Sequence, residues 1–169
     1  MRLAAGIVTF LAVAAVALAN TGSKTDPSGD VKHNPPGKDA RYDIVKIAYG
    51  HGSGTTLTAT VKTKGKIKMT PPPFLWIDVP GKVATRPGCQ YSDYFVAGNE
   101  VDECGEGPKT GNATTKKLDD HRVRVTFDAA AIGSPSRYGI AFVNEGAANG
   151  KLIFYDRAPD KGFLKHQLK

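Results

Sequence analysis

Four aspartates have the types and spacing that suit a hard cation. Asp26 and Asp30 bracket Pro27-Ser28-Gly29, so a tight turn would bring two carboxylates together, and Asp43 opens the next apolar segment. Calcium takes about six to eight oxygens from carboxylates, carbonyls and water, and a glycine-bearing loop with these acids supplies much of that set. Asp156 is the expected long-range partner. The D-x-D-x-D-G spacing of an EF-hand is missing. The plainer alternative is that Asp and Gly make turns here through side-chain capping and positive φ. If a cation binds, it is expected to pin the N-terminal arm and to do no chemistry; no organic cofactor is expected.

A second constellation lies between Cys89 and Glu106, where Asp93, Glu100, Asp102, Glu103 and Glu106 occur without any Lys or Arg. Tyr91, Tyr94 and Phe95 share the segment. Tyr91 and Tyr94 are candidates to stack on a sugar, with Asp93 and Asp102 accepting from its hydroxyls. The alternative is a solvated acidic loop whose aromatics turn into the core. Trp76, between Leu75 and Ile77, reads first as a core residue and second as a further stacking surface. A third constellation is basic. Lys62, Lys64, Lys66 and Lys68 recur at every second residue, which places all four on one side of an extended strand unless Gly65 introduces a bulge. Such a face either meets an anionic polymer or protects an edge strand from aggregation.

Signals for catalysis are sparse. His33, His51, His121 and His166 are isolated in sequence, with no H-E-x-x-H motif, and no serine sits in a G-x-S-x-G elbow. The expectation is a binding protein, not an enzyme. Asn112-Ala113-Thr114 matches a glycosylation acceptor, relevant only in a eukaryotic host.

The elements that must position these residues are short strands. The chain has 169 residues, 40% hydrophobic and 23% charged, with a net charge of +7; 19 Gly and 11 Pro make it rich in turns. These figures exclude a coiled coil, a collagen and a multi-span membrane protein. Residues 1–19, one arginine and then an uncharged apolar run ending Ala17-Leu18-Ala19, have the layout of a cleaved secretory signal, so an exported, extracellular location is expected. In an oxidising compartment the only two cysteines, Cys89 and Cys104, are expected to pair. Residues 20–41 lack apolar periodicity and read as an extended arm packed on a domain spanning 42–169. Within that domain, Thr55–Lys64 and Arg122–Phe127 alternate with period two. Tyr42–Tyr49, Phe74–Val79, Tyr91–Ala97, Tyr138–Val143, Leu152–Tyr155 and Gly162–Leu168 are further strand candidates. No stretch holds a helical period for a dozen residues. The predicted fold is an all-β, single antiparallel sandwich, jelly-roll or immunoglobulin-like, with one disulfide.

Several short motifs carry a resemblance across nearly the whole region after residue 19. They are Asp26-Pro27-Ser28-Gly29-Asp30, Tyr42-Asp43-Ile44-Val45 before a Thr-rich hairpin, Phe74-Leu75-Trp76-Ile77-Asp78, and the run from Tyr155 through Asp156, Arg157 and Asp160 to Gly162. Together they resemble the secreted DOMON and family 9 carbohydrate-binding-module domains. The resemblance implies a jelly-roll-like sandwich, sugar binding, structural calcium in some members and haem in one branch. Pro80 stands where many members carry a second acid after the Trp-x-Asp strand, and Trp76 is the only tryptophan. The expectation from residues and resemblance together is a carbohydrate-binding module acting on a polysaccharide or cell-wall polymer. The runner-up is an envelope protein using its lysines on anionic polymers; nucleic acid is not an expected partner.

Overall fold

Period-two alternation decides most of the elements. The computed structural model describes residues 21–33, 39–51, 54–82, 92–104, 107–148 and 151–168, excepting the side chains of 33, 147, 148 and 151–154. The expected signal segment, Tyr91 and Cys89 lie outside them. In β4 (Thr56–Thr63), Leu57, Ala59 and Val61 point inward, and in β9 (Arg122–Asp128) Val123, Val125 and Phe127 meet them in antiparallel register. β3 (Ile44–His51) pairs on the other side of β4 and adds Ile44 and Ile47 to the core. A second run comprises β5 (Phe74–Asp78), β6 (Tyr94–Ala97), β7 (Glu100–Glu103), β10 (Arg137–Ala148) and β11 (Lys151–Ala158). β12 (Leu164–Gln167) pairs with β10. A 3₁₀ turn, Ala129–Ile132, starts at Asp128, whose carboxylate accepts from the Ala130 amide, and ends at Gly133 in the left-handed region.

The strands form one connected antiparallel sheet that nearly closes into a barrel. The reason is β8 (Lys109–Asp119), which runs from one layer into the other. Its first residues pair with β7 and the remainder with β9. Strand order is β1-β3-β4-β9-β8-β7-β6-β5-β10-β11-β2, where β1 is Gly22–Thr25 and β2 is Lys32–His33. The N-terminal arm therefore supplies both ends of the sheet path, pairing with β3 and with β11. Closure comes from packing of β3 on β10 and β11 and of β1 on β12. One core fills the interior, with Ile44, Val61, Leu75, Ile77, Val101, Val123, Val125, Ile140 and Phe142 wholly buried. Among the described residues no helix is long and apolar enough to cross a membrane.

Candidate cation centre and its surroundings

The sheet ends bring the acids together. Asp26 follows β1, where its amide donates to the Val45 carbonyl at 3.0 Å, and the turn after it places Gly29 at φ +91°, a conformation that suits glycine. The Gly29 amide, at 2.9 Å, and the Ser28 hydroxyl, at 3.3 Å, both donate to Oδ2 of Asp43. Asp156, on β11, accepts from the Ile44 amide at 2.5 Å and from the Arg157 amide at 2.8 Å. These contacts hold two overlapping triads, Asp26/Asp30/Asp160 and Asp30/Asp43/Asp156, each with ligand oxygens within 4.8 Å of one another. The four acids singled out in the sequence thus converge. Asp160, which was not singled out, joins them from the loop after β11.

Burial makes the cluster costly without a counter-charge. Asp43 and Asp156 are each 3% exposed and Asp26 9%. Oδ2 of Asp26, Oδ1 of Asp30 and Oδ1 of Asp43 are buried without a hydrogen-bond partner. Lys64 reaches Asp43 only at 3.9 Å. Desolvation, followed by the charge of Asp156 and then of Asp160 and Asp30, raises Asp26 to about 7. Desolvation likewise raises Asp156 to about 7, with the Ile44 amide working against it and Asp30 adding to it. Asp30 is also raised, chiefly by burial. Buried like charges with unused acceptor oxygens must either hold protons or share a cation. An all-oxygen set of carboxylates, with no thiolate or imidazole, suits a hard ion such as calcium or magnesium.

Of the residues expected to form a sugar platform, Tyr94 and Asp93 are buried, and Tyr91 lies outside the described residues. Tyr94 is 7% exposed and faces the core, its hydroxyl bonded to Lys82 Nζ at 2.7 Å. Asp93 is 5% exposed and accepts from the Val79 amide at 2.7 Å, a structural role that removes it from any surface site. Trp76 and Asp102 are different. Leu75 and Ile77 turn into the core, so Trp76 faces outward, half-buried, with Phe95 opposite it on β6 and Asp102 opposite Phe95 on β7. The core role first read for Trp76 is therefore corrected, and the missed neighbour is Phe95. Cys104 is not a free thiol, while its expected partner, Cys89, is outside the described residues.

The lysines do not form one ladder. β4 ends at Thr63, Gly65 lies against the Ala40 backbone, and the chain turns away, so only Lys62 belongs to the strand. Lys64 lies near Asp43, and Lys66 pairs with Asp120 at 3.1 Å. Lys68 is exposed and contributes to holding the Asp39 carboxyl down, behind the larger effect of Arg41. β4 is also an interior strand, flanked by β3 and β9, so edge protection is not its function. A basic face does exist elsewhere: Lys46, Lys62 and Arg122 stand directly opposite one another across β3, β4 and β9, and Arg124 stands opposite Lys116. Sequence reading also missed a histidine pair. Nδ1 of His51 and Nε2 of His166 are 3.0 Å apart, although 115 positions separate them. No family model matches this chain, nor does any curated protein or solved structure.

Proposed function

We propose that this chain is an exported, non-catalytic binding module built around a calcium centre, with carbohydrate at a cell surface or in an extracellular polymer as its ligand. The observation that carries the reading is the convergence of Asp26, Asp30, Asp43, Asp156 and Asp160, with three buried carboxylate oxygens lacking partners. Asp43 in particular, 3% exposed, keeps one oxygen unpartnered within the cluster. In this reading the ion ties the arm, through Asp26 and Asp30, to the β3 and β11 ends of the sheet. A Cys89–Cys104 disulfide, a jelly-roll-like sandwich and kinship with the DOMON and family 9 carbohydrate-binding domains belong to the same proposal.

Calorimetric titration of residues 20–169 with calcium, after chelator treatment, tests the centre directly. A saturable heat lost in Asp43→Asn supports it; identical behaviour of the two proteins overturns it. Retention on insoluble polysaccharides, with calcium or EDTA and at low or high salt, tests the ligand class. Retention that withstands salt supports a glycan module, and no retention overturns that part of the proposal.

One observation favours a second reading, an anionic-polymer contact. Like charges directly opposite across strands are unfavourable, and here they recur in two adjacent rows. A polyanion laid over Lys46, Lys62, Arg124 and Lys116 would relieve that repulsion. Its binding would weaken steeply with salt, and Lys62→Glu with Arg124→Glu would abolish it.

A further inference from the structure

The outer face of β5 carries Phe74 and Trp76 and ends at Asp78. Trp76 sits there opposite Ala141 of β10, and the loop from Ala158 to Phe163 folds over this face to leave a cleft of about 590 Å³. Arg157 lies over the rings of both Trp76 and Phe163. The Arg157 guanidinium lies 5.6 Å from the Trp76 ring centre and 5.3 Å from that of Phe163, and it donates to the carbonyls of Pro159 and, at 2.6 Å, Gly162. Phe163 can lie so close to β10 because residue 139 is glycine; a Cβ there would be 2.6 Å from that of Phe163. Tyr155, Asp160 and Lys161 complete the rim.

Two features indicate what would fit. Aromatic faces beside an open polar rim suit a pyranose ring, and the volume falls within the range of small-ligand sites. The charges then select among sugars. Arg157 and Lys161 are cationic, and the guanidinium has five donors, of which the loop carbonyls take two. Among the described residues Asp160 is the one carboxylate on the rim, and it also belongs to the triad with Asp26 and Asp30, so a cation there would draw its charge away from the cleft. We propose that this cleft binds a uronate-bearing glycan, whose ring packs among the aromatic side chains that line the cleft and whose carboxylate meets Arg157 and Lys161, and that a cation on Asp160 sets the loop that forms the cleft. The proposal rests on the calcium and carbohydrate reading above and names the sugar class and its coupling to the ion.

Trp76 is the sole tryptophan, so its fluorescence reports on the cleft. Residues 20–169 would be titrated with a galacturonic acid trisaccharide and with its neutral galactose counterpart, in excess calcium and in EDTA, with calcium binding followed separately by calorimetry. The expected result is a saturable change with the acidic trisaccharide alone, weakened about tenfold by EDTA and by Lys161→Glu. Lys161 is exposed, so this variant avoids the loop disturbance that Arg157→Gln could cause. An equal response to the neutral sugar overturns the uronate assignment. No response to either sugar, with calcium binding intact, overturns the cleft and leaves the calcium centre standing. Sugar binding unchanged by EDTA or by Asp160→Asn overturns the coupling.

Discussion

His166 is 2% exposed and packs against Tyr49, whose ring centre is 4.0 Å away, and edge-on to Tyr138. One ring nitrogen faces His51 and the other, Nδ1, is buried without a partner. Burial, and secondarily the charge of His51, lowers its pKa to about 4 from an ordinary 6.5. The unfolded chain therefore binds this proton more readily than the folded one, and the stability associated with neutral His166 is present above pH 6.5 and lost as pH falls towards 4. Denaturant unfolding of the native protein and His166→Gln across that interval should show a steeper decline on acidification in the native protein; parallel profiles would contradict it. At the acidic cluster, Asp43→Asn keeps an acceptor for the Gly29 amide but removes a ligand charge. Calcium affinity should fall by about two orders of magnitude, measured by calorimetry. The turn Asp26–Asp30 and the position of Asp43 were legible because Asp and Gly announce tight turns locally. Asp160 and the histidine pair were not, since each depends on contacts between distant parts of the chain.

Parity within strands decides which side chains are buried and which turn outward. Ile77 and Trp76 are neighbours, one wholly buried and the other turned outward. Ile77→Ala should cost about 2–5 kcal/mol in equilibrium unfolding, while Trp76→Ala should cost distinctly less and instead remove ligand binding. A reversed ranking would place Trp76 in the core after all. β4 and β9 were readable as strands because their apolar residues alternate cleanly, and β5 because it is apolar up to Asp78. What Phe74–Ile77 could not reveal was why apolar residues occupy both faces; Leu75 and Ile77 face the core and Trp76 the cleft. β8 escaped for the opposite reason. Its sequence, KTGNATTKKLD, buries only Ala113 and has no apolar stripe, because its place is fixed by partners on both sides. β1 and β2 escaped likewise, being short and polar additions to edges formed by β3 and β11.

For the molecule as a whole, the arm and the acidic cluster meet in one place. β1 and β2 have few apolar side chains to hold them, so without calcium the segment from 22 to 33 should be the least protected part of the sheet. Hydrogen exchange read by mass spectrometry should show protection of that segment rising on calcium addition, with little change in β4 and β9; uniform protection would argue against an arm-locking ion. The cluster also joins opposite ends of the sequence, for the Ile44 amide and the Asp156 carboxylate that bond at 2.5 Å lie 112 residues apart. A nascent or clipped chain that stops before residue 156 would carry Asp26, Asp30 and Asp43 on an unanchored arm, with neither β11 to pair β2 nor the two late carboxylates to complete the cage. Such a fragment would leave its arm open to proteases, and under the proposed calcium reading only a chain that reaches Asp160 could capture the ion and close it.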